Sequence, residues 1–242
     1  MNNRHAHTTN NAGVLAAAAA ALEFVSDGVC VGLGSGRASA AFITALGARC
    51  RDGLHVRGVA TSAASATLAA SVGIPLIGIE DGLVIELTVD GADEVAPNLD
   101  MVKGWGGALV RERIVAAASR RQVILVGADK LVTTIGERGR IPVEVIPMAQ
   151  WPVTHELLAL GLAPSLRMDS TGANAYVTDN GNVIIDFALR EPIVDGKAAR
   201  ALERAVLDIV GVVDTGLFLG TADRVLVGRS DGSVETLLRT AD

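Results

Sequence analysis

Val29-Cys30-Val31-Gly32-Leu33 is a short apolar run, broken by Gly34-Ser35-Gly36 before a helix-forming stretch from about Arg37 to Gly47. Strand, glycine turn and helix in that order make the opening of a βαβ unit. The pattern recurs downstream. His55 to Ala60 reads as a second strand and Ala63 to Val72 as a helix. Ile74 to Ile79 and Val84 to Val89 read as strands, Gly106 to Arg120 as a long helix, and Gln122 to Val126 as the closing strand. Such alternation predicts a parallel sheet with right-handed crossovers, whose strand carboxyl ends and their loops share one edge. Every chemically interesting segment falls on that edge.

After Lys130 the pattern changes. Ile141-Pro142-Val143-Glu144-Val145-Ile146-Pro147 is a Pro-bounded strand and Trp151 to Leu160 looks helical. Leu166 to Met168, Ala175 to Thr178 and Asn182 to Phe187 look like short strands, with Asp179-Asn180-Gly181 as a tight turn. Lys197 to Ile209 is another helix, and Val212-Val213 and Val225 to Val227 suggest strands returning to the main sheet. The expected fold is α/β. A Rossmann-like parallel-sheet domain spans residues 12–135 and 214–242, and a smaller α+β domain of ferredoxin-like type is inserted over residues 136–213.

Composition agrees with buried parallel strands. Of the 242 residues, half are apolar but only 3% aromatic, so Ala, Val, Leu, Ile and Gly fill the interior. A net charge of −6 argues against nucleic acid as a partner, although a few local donors can still hold a small phosphate. Cys30 and Cys50 are too few for a disulfide framework and fit buried thiols in a cytoplasmic protein. The alanine run from Ala12 to Ala21 reads as the start of a packed helix reaching about Val25, not as a signal peptide. No apolar stretch reaches the roughly 18–20 residues that span a bilayer. The leading Met1 to Asn11, with His5 and His7, is expected to be a disordered tail of little metal-binding interest.

Four segments hold the chemistry. In Gly32-Leu33-Gly34-Ser35-Gly36-Arg37, glycines let backbone N–H groups approach an anion at a helix start. The spacing fits neither the dinucleotide Gly-x-Gly-x-x-Gly nor the Walker loop, and a plain strand-to-helix turn explains it equally well. Thr61-Ser62-Ala63-Ala64-Ser65-Ala66-Thr67 puts hydroxyls in a first helical turn, where Thr61 and Ser62 suit capping or sugar contact about equally. Ser65 and Thr67 suit capping or exposure better. Val89-Asp90-Gly91-Ala92-Asp93-Glu94 gathers three carboxylates at a strand end. Their repulsion needs a cation, a proton or a substrate hydroxyl to offset it. A divalent metal is the obvious rival, but no His or Cys lies nearby, and Lys103 could play the cation's part. Lys103-Gly104-Trp105-Gly106-Gly107-Ala108-Leu109-Val110-Arg111-Glu112-Arg113 is a glycine-rich loop opening a helix. Glu112 alone would pass as a dipole-favoured helix residue, and Lys103 alone as a surface charge.

Taken together, Val-Asp-Gly-Ala-Asp-Glu, then Lys-Gly-x-Gly-Gly-Ala-Leu, then Arg-Glu-Arg resembles the signature run of the ribose-5-phosphate isomerase A family. Further stretches are similar in kind and order: Gly32 to Ser39, Ile124 to Lys130, Pro142 to Pro147, Thr178 to Asn182 and Gly211 to Phe218. The resemblance runs from about Ala12 to near the end of the chain. It implies interconversion of D-ribose 5-phosphate and D-ribulose 5-phosphate through an enediol, without metal or cofactor. By that resemblance Glu112 moves the proton between C1 and C2, and Asp90 and Asp93 handle hydroxyl protons and ring opening. Lys103 and nearby backbone N–H groups stabilise the enediolate oxygen. The resemblance also places substrate against Ser35, Gly36, Arg37, Ala38, Gly91, Ala92, Gly104, Trp105, Gly106 and Lys130. It implies a cytoplasmic homodimer or homotetramer acting on a small sugar phosphate, with no nucleic-acid or membrane partner.

Two departures from the family pattern matter. Where Gly-Thr-Gly-Ser-Thr is common, this chain has Gly34-Ser35-Gly36-Arg37-Ala38, losing two hydroxyls and gaining a guanidinium that could grip phosphate. Trp105 stands where a glycine is often found, either narrowing the substrate range or shielding the loop. An isomerase for another sugar phosphate on the same fold is one alternative. A sugar-phosphate sensor is another, but a sensor should carry a DNA-binding domain, and about eleven residues precede the first helix.

Overall fold

The structure, a computed structural model, describes residues 3–80 and 82–239, with side chains described from residue 12 onward. Helix α1 (Asn3–Ala21) leads into β1 (Cys30–Leu33), α2 (Gly36–Arg51), β2 (Arg57–Ala60) and α3 (Ala63–Ser71). Strand β3 (Leu87–Gly91) is followed by β4 (Glu94–Val95), β5 (Met101–Val102), α4 (Leu109–Ala117) and β6 (Gln122–Gly127). Next come β7 (Ile141–Val145), α5 (Gln150–Ala159), β8 (Ala163–Leu166), β9 (Val183–Ala188) and α6 (Gly196–Leu207). Strands β10 (Val212–Thr215), β11 (Leu217–Phe218), β12 (Arg224–Gly228) and β13 (Val234–Leu238) follow. Among the described residues no helix is long and apolar enough to cross a membrane.

The chain packs as two units. The first comprises residues 1–92, 111–131 and 221–242. Its six-stranded sheet has the order β13-β12-β6-β3-β1-β2, with every neighbouring pair parallel except β12 and β13. Alternation along β1 sends Val31 and Leu33 into a core with Phe42, Ile43 and Leu46 of α2, while Cys30 faces Val115 of α4. Both faces are therefore covered, which explains why the strands read as continuous apolar runs. Burial pushes the thiols of Cys30 and Cys50 above their ordinary value, so both behave as small apolar side chains. From β1 the chain crosses to β2 on one side and later returns to β3 on the other. The carboxyl ends of β1 and β3 thus form the switch point where open α/β sheets bind ligands.

The second unit comprises residues 93–110 and 132–220. Here β7-α5-β8-β9-α6-β10 folds into an antiparallel sheet of order β10-β7-β9-β8, the ferredoxin-like arrangement. Its core joins Val143, Ile185 and Phe187 to Val153 and Leu157 of α5 and Val206 of α6. A separate three-stranded sheet, β11-β5-β4, adds Ala96, Val102 and Leu217 to the same core. That pairing is why residues 93–110 pack with the second unit although they lie between β3 and β6 in sequence.

Several sequence expectations are corrected. The backbone is helical from Asn3, because a helix nucleated in the alanine run gains one hydrogen bond for each residue it takes in. The side chains of His5 and His7 lie outside the described residues. Val212-Val213 pairs with β7 in the smaller sheet and does not return to the main one. Ile74 to Ile79 forms only an isolated bridge from Leu76 to Gly58, since Pro75 has no N–H to offer a ladder. The long helix begins at Leu109 and not at Gly106, because Gly104 to Gly107 close a turn. Ala175 to Thr178 makes two isolated bridges, Met168 to Ala175 and Val177 to Val183.

Candidate active site

At the switch point of the first unit, β1 ends at Leu33 and the chain turns through Gly34 and Ser35 into α2. A Cβ at Gly34 would collide with the side chain of Asp90, so only glycine lets that carboxylate lie across the turn. Asp90 is fully buried near the end of β3. Its Oδ1 accepts hydrogen bonds from Ser35 N (3.0 Å), Gly91 N (2.7 Å) and Ser39 Oγ (3.1 Å). Three donors on one oxygen fix the carboxylate's direction. Gly91 lies 3.8 Å from Ala38 by its missing Cβ, so the turns after β1 and β3 abut.

Hydroxyls tie the turn after β1 to the one after β2. Ser35 Oγ lies 2.8 Å from both Thr61 Oγ1 and Ser62 Oγ. Ser65 Oγ donates to the Gly34 carbonyl at 2.6 Å, while Ser62 Oγ caps α3 by accepting from Ser65 N. Ser65 is thus buried in the cluster, whereas Thr67 is exposed and donates only to Ala63 O. Arg37 is exposed in the first turn of α2, and Lys130 is half-buried at the end of the short turn after β6. The first N–H groups of α2, at Gly36 to Ala38, lack intrahelical acceptors by their position.

Helix α4 brings up Glu112. Arg120 N, just past the helix, donates to Ile85 O, and Val115 lies level with Gly32 and Thr88. The helix therefore runs antiparallel to β3. Glu112 precedes Val115 by three residues and so lies on the same face of the helix, about one turn nearer its N-terminus. Glu112 is 5% exposed.

The second unit holds the other two named side chains. Lys103 follows β5 and is 2% exposed, with its Nζ 5.5 Å from the centre of the Phe218 ring. Its backbone is fixed by donation from Lys103 N to Gly216 O (2.9 Å). Asp93 Oδ2 accepts from Trp105 N at 2.9 Å. Glu94, third of the clustered acids, is held separately by Gly136 N (2.5 Å) and Arg138 N (2.8 Å). Burial pushes its carboxyl above the ordinary 4.5, and those two N–H groups pull it back. Each acid therefore has its own donors, which answers the repulsion expected from the sequence. Among the described residues no group of three or more His, Cys, Asp or Glu side chains is arranged to hold a metal ion.

Trp105 turns its ring into the second unit's own core. The indole Nε1 donates to Arg140 O (2.8 Å), and the guanidinium groups of Arg138 and Arg140 lie 5.8 Å and 5.6 Å from the ring. Residues the sequence did not single out also contribute: Ser39 on Asp90, and Arg167 and Tyr176 against the Gly104–Gly107 loop. Ser39 was legible as the residue one helical turn beyond Ser35. Arg167 and Tyr176 lie more than sixty residues from the loop and left no local signal.

A model of the ribose 5-phosphate isomerase A (phosphoriboisomerase A) family matches residues 57–232. The chain belongs to this family. Ribose-5-phosphate isomerase A of Bartonella bacilliformis is 40% identical over 225 residues, covering 91% of this chain and 94% of the relative. The structure of ribose 5-phosphate isomerase A from Methanocaldococcus jannaschii has a TM-score of 0.88 at 39% identity, covering 95% of this chain and 99% of that one. A D-ribose-5-phosphate isomerase solved in complex with phospho-erythronic acid also has a TM-score of 0.88, at 36% identity, covering 93% and 97%. The parallel main sheet and separate antiparallel sheets are thus the isomerase A fold.

Proposed function

We infer that this ribose-5-phosphate isomerase works by proton transfer through an enediol, with Glu112 as the base that carries hydrogen between C1 and C2. The observation that supports the reading is that Asp90, near the end of β3 at the switch point, and Glu112, in the first turn of α4, are both buried carboxylates of the first unit. A buried carboxylate can take a carbon-bound proton and return it to the neighbouring carbon, contributing about 10²–10⁴-fold. Asp90, its direction fixed by three donors, passes hydroxyl protons during ring opening, and by the family resemblance Asp93 shares that role. Lys103 and the backbone N–H groups of Gly104 to Gly106 hold the enediolate oxygen, a term of comparable or larger size. Ser35, Gly36, Arg37 and Ala38 take the phosphate at the start of α2, with Lys130 adding charge and Gly91 and Ala92 lining the sugar. Trp105 contributes its backbone, its ring being engaged elsewhere.

The resemblance further supports a cytoplasmic homodimer or homotetramer that binds a sugar phosphate and uses neither metal nor cofactor. The purified chain, treated exhaustively with EDTA, is expected to convert ribose 5-phosphate to ribulose 5-phosphate at the untreated rate. It should act on other pentose and tetrose phosphates much more slowly. Loss of activity with EDTA would restore the metal reading of the acidic cluster, and preference for another aldose phosphate would change the substrate.

A further inference from the structure

The Gly104–Gly107 loop is gripped from one side through its carbonyl oxygens. Arg167 Nη1 donates to Gly104 O (3.0 Å) and to Trp105 O (3.1 Å), and Tyr176 Oη donates to Gly106 O (3.2 Å). Arg167 is 8% exposed, and its Nε donates to Asp186 Oδ2 at 2.8 Å while Nη2 bonds Asp186 Oδ1. Asp186 is also paired with Arg140 (3.1 Å), so the guanidinium is fixed in a plane. Its charge further lies 5.9 Å from the Tyr176 ring. Tyr176 in turn packs where a Cβ on Gly107 would stand, and Gly107 has φ +86°, so no other residue fits that turn.

A trans peptide points its C=O and the following N–H in opposite directions, and the described chain has no cis bond. Where Arg167 takes the Gly104 carbonyl, the Trp105 N–H therefore points away and meets Asp93 Oδ2. Where Arg167 takes the Trp105 carbonyl, the Gly106 N–H likewise points away, and among the described residues it donates to no protein acceptor. Gly106 is exposed.

We propose that Arg167 is a positioning residue of the isomerase reaction: by holding the Gly104 and Trp105 carbonyls it aims the Trp105 N–H at Asp93 and the Gly106 N–H at the enediolate oxygen. The inference rests on the reading above, in which this loop serves the developing oxyanion. A donor aimed at charge that appears only in the transition state affects turnover more than substrate affinity.

Arg167→Met is expected to lower kcat about 100-fold with KM within about threefold of wild type, and to weaken inhibition by phospho-erythronic acid in parallel with kcat. Millimolar guanidinium should restore part of the kcat of Arg167→Ala without changing wild type. An Arg167→Met kcat within threefold of wild type would overturn the proposal, and so would a loss that merely tracks the folded fraction by circular dichroism. If the Met variant does not fold, Arg167→Lys decides: its ammonium keeps the charge beside Asp186 but cannot also bridge both carbonyls, so kcat must fall at least about tenfold. Full activity of Glu112→Gln would instead sink the underlying mechanism, whereas an inactive Glu112→Gln beside a fully active Arg167→Met would sink this inference alone.

Discussion

The Asp90 carboxylate and Gly34 adjoin across neighbouring strand ends, and the missing side chain of Gly34 is what makes the arrangement possible. A Cβ there would come within 2.6 Å of the Asp90 Cα and would overlap its carboxylate. A backbone requirement at the end of β1 thus fixes a chemical group at the end of β3.

Gly34→Ala is therefore expected to push Asp90 off Ser35 N and Ser39 Oγ. Overpacking of this kind costs about 1–3 kcal/mol, and displacing a reacting group by about 1 Å costs about 100-fold in rate. Melting temperature and kcat together check the expectation. A variant that loses stability while keeping wild-type kcat would show that the position of Asp90 is not critical.

Arg37 stands exposed in the first turn of α2. If its guanidinium grips the phosphate in ground and transition states alike, Arg37→Ala raises KM about tenfold and leaves kcat unchanged. The effect should shrink at high salt, because an exposed ion contact is screened. Initial rates at two ionic strengths test this, and an unchanged KM would remove Arg37 from the phosphate site.

Glu94 gives a prediction with a defined sign. Burial raises its folded-state value above 4.5, so the folded chain holds the proton more tightly than the unfolded chain does. That contribution is present below 4.5 and is lost as pH rises through the raised folded value. Comparing thermal unfolding of wild type and Glu94→Gln from about pH 4 to about pH 7, the balance should shift toward the Gln variant as pH rises. A wild-type advantage that grows with pH would contradict the assignment.

Much of this was legible in the chain because the signals were local. Val29 to Leu33 with its glycine turn announced a strand and a crossover, and the Pro-bounded Ile141 to Pro147 announced a strand of the smaller domain. Other elements were invisible for physical reasons. Strands β4, β5 and β11 have two residues each, too few for any periodicity. Strand β13 is an antiparallel edge in which Glu235, Thr236 and Leu238 are exposed, so its pattern does not alternate cleanly. Among the proposed catalytic residues, the acidic cluster with Asp90 and Asp93 stood out by type and spacing, whereas Lys103 and Glu112 stood out only through the family resemblance. The supports did not: Ser65 looked like a cap, and Arg167 is tied to the Gly104–Gly107 loop only by the pairing of β8 with β9 and the turn beyond it.

The most direct test of the mechanism is solvent hydrogen exchange at the carbons that Glu112 is assigned to serve. Incubated in D₂O with ribose 5-phosphate and ribulose 5-phosphate at equilibrium, the wild-type chain should wash deuterium into C2 of the aldose and C1 of the ketose. Folded Glu112→Gln should show neither exchange nor isomerisation above about one part in a thousand of the wild-type rate. Exchange at a wild-type rate in Glu112→Gln would contradict the assignment of the base.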